Sequence, residues 1–180
     1  KEIEKRTIFT LLSKPLRRPD FLLGKFFGLV LTLAVMLLAM SVIFLALVFL
    51  HTGTIEWAML LAILYIFLEL VLITAVAVLF SCFSTPILSS LFALSFYLIG
   101  HFSWSLETFI KKARPGAPKV LLQILYAVLP DLESFNLKTE VVHALPLSAP
   151  HLLHAAAYGI VYTAFVLVLA VLIFRRRDFV

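Results

Sequence analysis

The sequence predicts an all-α membrane protein, with four transmembrane helices preceded by a short amphipathic helix. Three observations carry that prediction. Of its 180 residues 63% are hydrophobic and the mean hydropathy is +1.10, where a soluble domain is nearer half apolar. Uncharged stretches recur at lengths that fit a bilayer. The basic residues gather at the ends of those stretches, where topology determinants and phospholipid contacts belong. The net charge of +5 therefore points to lipid headgroups and away from nucleic acid. The chain reads as a single transmembrane domain whose backbone groups must be satisfied helix by helix.

Ile3, Thr7, Ile8, Leu11 and Leu12 share one side of a first short helix, interrupted by Glu4, with Glu2, Arg6, Thr10 and Ser13 opposite. Lys14-Pro15 ends it, because a residue before proline avoids the α region. Periodicity alone describes a helix resting on headgroups. Pro19-Asp20 restarts the helix, with Asp20 in position to cap it. Gly24 and Gly28, four residues apart, leave a smooth stripe for helix packing.

No charge occurs between Lys25 and Glu56, and an α-helix needs roughly 20 residues to cross about 30 Å of hydrocarbon. The first span is thus about 21–50, closed by the polar turn HTGT at 51–54. The second is about 57–80, with Trp57 as an interfacial anchor. Leu70 to Leu106 is again uncharged and too long for one crossing. SCFSTP at 81–86 divides it: Ser84 or Thr85 caps the next helix and Pro86 suits its first turn. The third span is about 87–106.

Residues 107–151 form the last connection. KKARPGAPK is a broken basic turn, and VLLQILYAVL (120–129) is too short to cross, which predicts an interfacial or re-entrant helix. A second short helix is expected near Leu137–Ala144. The last span is about 152–174, stopped by Arg175, Arg176 and Arg177. With both ends on the cytoplasmic side, the inner face holds ten basic residues (Lys1, Lys5, Arg6, Lys14, Arg17, Arg18, Lys25, Arg175, Arg176, Arg177). The outer face holds five (Lys111, Lys112, Arg114, Lys119, Lys138), an asymmetry that favours this orientation.

Few residues carry chemistry. Glu69 is the one acid deep within a predicted span. At mid-bilayer an ionised carboxylate costs several kcal/mol, so it must face the bundle interior, be protonated or find a partner. It reads either as a hydrogen-bonded packing acid or as part of a substrate path or gate. His101, Trp104 and Glu107 cluster at the outer end of the third span and are candidates for lining an exit. His151 and His154 share a helix face without a third ligand nearby in sequence, so no metal site is expected. His101 and His154 are also weighed as a haem pair; capping and interfacial hydrogen bonding explain them more simply. The lone Cys82 excludes an internal disulfide, and there is no C-x-x-C. G-x-x-x-x-G-K-[ST], G-x-S-x-G and H-E-x-x-H are absent, and the serines of 81–90 suit caps and back-bonds to helix carbonyls better than nucleophilic roles.

Glu4, Thr7, Leu11, Leu12, Pro15, Arg17 or Arg18, Gly24, Lys25 and Gly28 keep a set of fixed spacings. In them the opening segment resembles the cytoplasmic segment of type-2 ABC transporter permeases, the membrane subunits of certain ATP-driven exporters. FSCFSTP between spans, LPDLESFN in the outer loop and FRRRDF after the last span are similar too, so the resemblance covers essentially the whole chain. It implies that residues 1–20 are a cytoplasmic coupling helix and turn. Glu4, Arg6, Thr7, Ile8, Leu11, Leu12 and Pro15 would then contact a separate ATP-binding subunit, which holds ATP and Mg. It also implies a second permease chain, as homo- or heterodimer, and a multi-pass location in the cell (inner) membrane. Such permeases usually have six spans. Two more are therefore expected before the coupling helix, in keeping with a chain that opens on Lys1. Two rivals stand beside this reading: an ion- or proton-coupled transporter or channel that uses Glu69, and a redox or metal protein built on His101, His151 and His154.

Overall fold

The computed structural model describes residues 18–102, 129–143, 145 and 148–176. Among them lie five α-helices: α1 (Arg18–Thr52), α2 (Trp57–Ser81), α3 (Pro86–His101), α4 (Lys138–Val142) and α5 (Ala149–Arg176), with a 3-10 turn at Glu133–Phe135. The expected first helix (1–15) and most of VLLQILYAVL lie outside the described residues.

The helix ends follow local chemistry. Helix α1 has Pro19 and Asp20 in its first turn. Asp20 is thus inside the helix, two residues past its start, and is not the expected cap. Gly53 ends α1 in the left-handed region, at φ 74°, and its N–H donates to the Phe49 carbonyl at 2.8 Å. A residue without Cβ takes that conformation without strain. Thr85 caps α3, its hydroxyl oxygen facing the Leu88 N–H at 3.5 Å, with Pro86 at the first helical position, as the sequence indicates. Within the spans, hydroxyls bond back to carbonyls one turn earlier: Ser41 to Leu37 and Thr74 to Leu70, both at 2.7 Å. That satisfies them where lipid offers no partner.

Helices α1, α2 and α5 are long and apolar enough to cross a membrane. Helix α3 has 16 residues, which cover about 24 Å, short of a hydrocarbon core of about 30 Å. The uncharged run continues to Leu106, and so the sequence predicts a longer span. The helix nevertheless closes at Phe102, whose N–H meets the Ile99 and Leu98 carbonyls; residues 103–106 lie outside the described residues.

Helix α2 is the hub, packing against every other element and most extensively against α5. Its buried stripe, Tyr65, Glu69, Leu72 and Val76, repeats at the intervals of four and three that share one helix face. On the α3 side Phe80 packs against Phe92 and Phe96, with ring centroids 5.5 and 6.1 Å apart. Phe21 of α1 stacks on Phe174 of α5 at 6.4 Å, so the start of α1 meets the end of α5.

A largely non-helical segment, 129–137, is set into this bundle. Pro130, Leu132, Phe135 and Leu137 are buried. The Leu132 N–H donates to the Gly100 carbonyl at 3.2 Å, and the Asp131 N–H donates to the Tyr158 hydroxyl oxygen at 3.2 Å. Irregular backbone persists beside spans only when protein surrounds it, and here α2, α3 and α5 do so. The expected second short helix is α4, which follows this segment and packs against α2. The Tyr65 hydroxyl donates to the Leu152 carbonyl at 2.5 Å, fixing where α5 starts against α2. Tyr65→Phe should therefore lower stability by about 1 kcal/mol, the net worth of one such bond. Denaturation of the purified protein in detergent would measure it, and an unchanged midpoint would show the bond to be dispensable.

Candidate functional site: a carboxylate–imidazole–carboxylate bridge

Glu69 lies at the middle of α2, the thirteenth of its 25 residues, about 18 Å along the axis from Trp57. Its side chain is 12% exposed. Helix α3 antiparallels α2 and brings its last residue, His101, to the same depth, where His101 Nε2 lies 2.7 Å from Glu69 Oε1. The other ring nitrogen, Nδ1, lies 3.4 Å from Oε2 of Glu133, which the 3-10 turn carries. Glu133 is 45% exposed and His101 22%, so the bridge runs from a shielded acid to an accessible one.

Neighbours hold the bridge in place. The Asn136 side-chain amide donates to Glu133 Oε1 at 3.0 Å, and the Ser134 hydroxyl donates to Asp131 at 2.6 Å within the same turn. The Tyr97 ring, one helical turn before His101, meets the imidazole edge to face, centroids 4.7 Å apart at 74°. The short contact to Glu69 has the length of a charge-assisted hydrogen bond, while that to Glu133 is long for a hydrogen bond. A neutral imidazole has one N–H to give. Serving both carboxylates as donor requires the imidazolium. The arrangement can therefore hold a proton and pass it along one ring. It also ties three separate elements into one joint.

Of the residues the sequence marks, Glu69 and His101 are thus brought together. Glu69 takes the paired form among the options open to it. Trp104, Glu107 and the whole of Glu4, Arg6, Thr7, Ile8, Leu11, Leu12 and Pro15 lie outside the described residues. Gly24 and Gly28 sit exposed on α1 with nothing within 4 Å of where a Cβ would stand, so no helix of the described chain uses that stripe. His151 and His154 are exposed at the start of α5. Among the described residues no three His, Cys, Asp or Glu side chains are placed to share a metal ion, because the two carboxylates address opposite nitrogens of one ring.

Sequence reasoning missed Glu133 and Asn136. It also missed two glycines that seat the inserted segment. A Cβ on Gly100 would stand 2.7 Å from Leu132 Cγ and Cδ1 and 3.1 Å from the Pro130 carbonyl oxygen. On Gly159 it would stand 2.8 Å from Phe135 Cζ. The available signal was LPDLESFN itself, a loop with two large apolar residues that flank acids at a spacing no solvated turn requires.

No curated protein and no solved structure matches the chain. A family model does, described as ABC-2 family transporter protein, over residues 1–179. With that match over nearly every residue, and three helices able to span a bilayer, this multi-pass membrane protein belongs to the ABC-2 transporter family.

Proposed function

We propose that the chain is the permease subunit of an ATP-driven exporter. It forms the translocation path together with a second permease chain, homo- or heterodimeric, in the cell membrane with both ends of this segment cytoplasmic. The observation that carries the reading is the family match over residues 1–179, which includes the basic opening segment. In this reading residues 1–20 seat in a separate ATP-binding subunit through Glu4, Arg6, Thr7, Ile8, Leu11, Leu12 and Pro15. ATP and Mg are bound there, and this chain makes and breaks no covalent bond. Closure of the ATP-binding subunits pushes residues 1–20, α1 and α2 shift, and the Glu69–His101–Glu133 joint carries that shift to the segment inserted between α2, α3 and α5. His101, Trp104 and Glu107 border the exit.

Affinity purification of the full-length protein from native membranes tests this. It should recover an ATP-binding-cassette subunit and ATP hydrolysis. Leu11→Ala with Leu12→Ala should lose both while membrane yield is kept. Recovery of the intact protein without any ATPase would overturn the docking. A mid-span carboxylate in contact with an imidazole favours one second reading, a proton- or ion-coupled transporter without an ATPase partner. That reading predicts transport driven by an ion gradient and indifferent to nucleotide.

A further inference from the structure

The bridge of Glu69, His101 and Glu133 has a proton count that the backbone does not fix. Two contacts converge on one ring, Nε2 to Glu69 at 2.7 Å and Nδ1 to Glu133 at 3.4 Å. A hydrogen in each contact takes two protons, held as an imidazolium or as a neutral imidazole beside one carboxylic acid. With both carboxylates ionised and the ring neutral, only one proton remains, and a ring lone pair then faces a carboxylate oxygen. Among the described residues no lysine or arginine pairs with either acid, so no fixed cation takes the place of the missing proton. The neighbouring titratable groups are engaged otherwise. Tyr97 of α3 meets the imidazole through its ring. In the inserted segment the Asp131 carboxylate accepts from Ser134, and the Tyr158 hydroxyl of α5 accepts from the Asp131 N–H.

The two contacts differ in what happens when the second proton leaves. Glu69 is 12% exposed and Glu133 45%. The remaining N–H stays with Glu69, the acid that burial leaves most in need of a donor. The Nδ1 lone pair is left against Glu133, which is accessible enough to turn away. We infer that the bridge is a proton-operated latch on the 129–137 segment. With its second proton it clamps the segment to α2 and α3; without it Glu133 is freed and the segment loosens. The sign follows from linkage: closure takes up a proton, so it is favoured as pH falls and lost as pH rises. The inference takes from the proposed function only that this joint belongs to the permease bundle, and docking of an ATP-binding subunit plays no part in it.

Hydrogen exchange of the full-length protein in lipid nanodiscs, read by mass spectrometry, tests this without nucleotide or partner. Exchange is compared at about pH 5.5 and about pH 8.5, on either side of the range in which an ordinary imidazole titrates. Rates are corrected for intrinsic base catalysis, with the centre of α2 as reference. In the wild type, opening of residues 131–137 should rise about tenfold toward the higher pH, since one linked proton changes an equilibrium by up to about tenfold per pH unit. Glu133→Gln should abolish that rise and keep the segment closed at both pH values. Its amide nitrogen can donate to Nδ1 while its oxygen still accepts from Asn136, so the bridge closes with the ring neutral. Were Glu133 a packing residue alone, the same change would open the segment at both. His101→Gln, which binds no proton, should remove the pH dependence, and His143→Gln, at an exposed imidazole just past α4, should keep it. The inference is overturned if the wild type is equally protected at both pH values, or if either bridge variant keeps the wild-type pH dependence. A Glu133→Gln segment open at both, or loss of the dependence in His143→Gln, overturns it equally. Each of these results leaves the docking of an ATP-binding subunit to be decided by the affinity purification.

Discussion

Replacing His101 with leucine should destabilise the protein by about 3–5 kcal/mol, because it strands the Glu69 carboxylate in a shielded site at mid-span. The double variant His101→Leu, Glu69→Leu should recover most of that loss, since exchanging a whole buried pair for apolar side chains is often nearly neutral. Unfolding of all four members of this cycle in one detergent gives the coupling directly, and additive losses would show that the 2.7 Å contact carries no energy of its own. Glu69→Gln separates function from packing. The amide keeps the shape and a hydrogen bond to the imidazole but removes the charge. Transport should fall far more than stability. Equal loss of both would reduce Glu69 to a packing acid.

The second large effect is expected at the glycines beneath the inserted segment. Gly159→Leu drives a side chain into the Phe135 ring, which is fully buried and cannot swing clear. Overpacking of this kind costs about 1–3 kcal/mol, and the larger figure applies here because the obstacle is rigid. Gly100→Ala is held between Leu132 and the Pro130 carbonyl, so side-chain rotation alone does not relieve it. Phe135→Ala combined with Gly159→Leu should regain part of the lost stability by returning volume, whereas Phe135→Ala alone leaves a cavity worth about 3–5 kcal/mol. Thermal unfolding of the four variants decides it. A Gly159→Leu protein as stable as wild type would mean that the 129–137 segment leaves its seat readily.

Much of the architecture was legible because it depends on local rules. Thr85-Pro86 at the start of α3 and Gly53 at the end of α1 are punctuation that any single stretch of sequence displays, whereas α5 runs on through Arg175 and Arg176, past the stop expected at 174. The extent of α3 was less so: hydropathy cannot tell where an uncharged helix stops when the terminating interaction is a backbone bond at Phe102. The bridge was half legible. An acid inside an apolar run advertises that it needs a partner, and Glu69 stood out for that reason. Which partner it finds depends on a chain that returns to the same depth twice, 32 residues on at His101 and 32 more at Glu133. No periodicity reaches that far. Glu133 also looks, in isolation, like any solvated loop acid. Gly100 and Gly159 read as unremarkable helix glycines until the leucine and phenylalanine that occupy their missing side-chain space are seen.

The spacing of the bridge also bears on how the protein is made. Glu69 leaves the ribosome well before either group that will face it. At 5–20 residues per second, His101 follows roughly 2–6 s later and Glu133 after a similar interval again. During that time α2 must enter the bilayer with an unmatched acid at its centre, at a penalty of about 2.5–3.5 kcal/mol on the insertion scale. The apolar residues around Glu69 outweigh this, so α2 inserts as a provisional span that completion of the chain makes permanent. A nascent chain stopped before Pro130 would hold only the first half of the bridge, and membrane quality control would meet it as an unfinished helix pair.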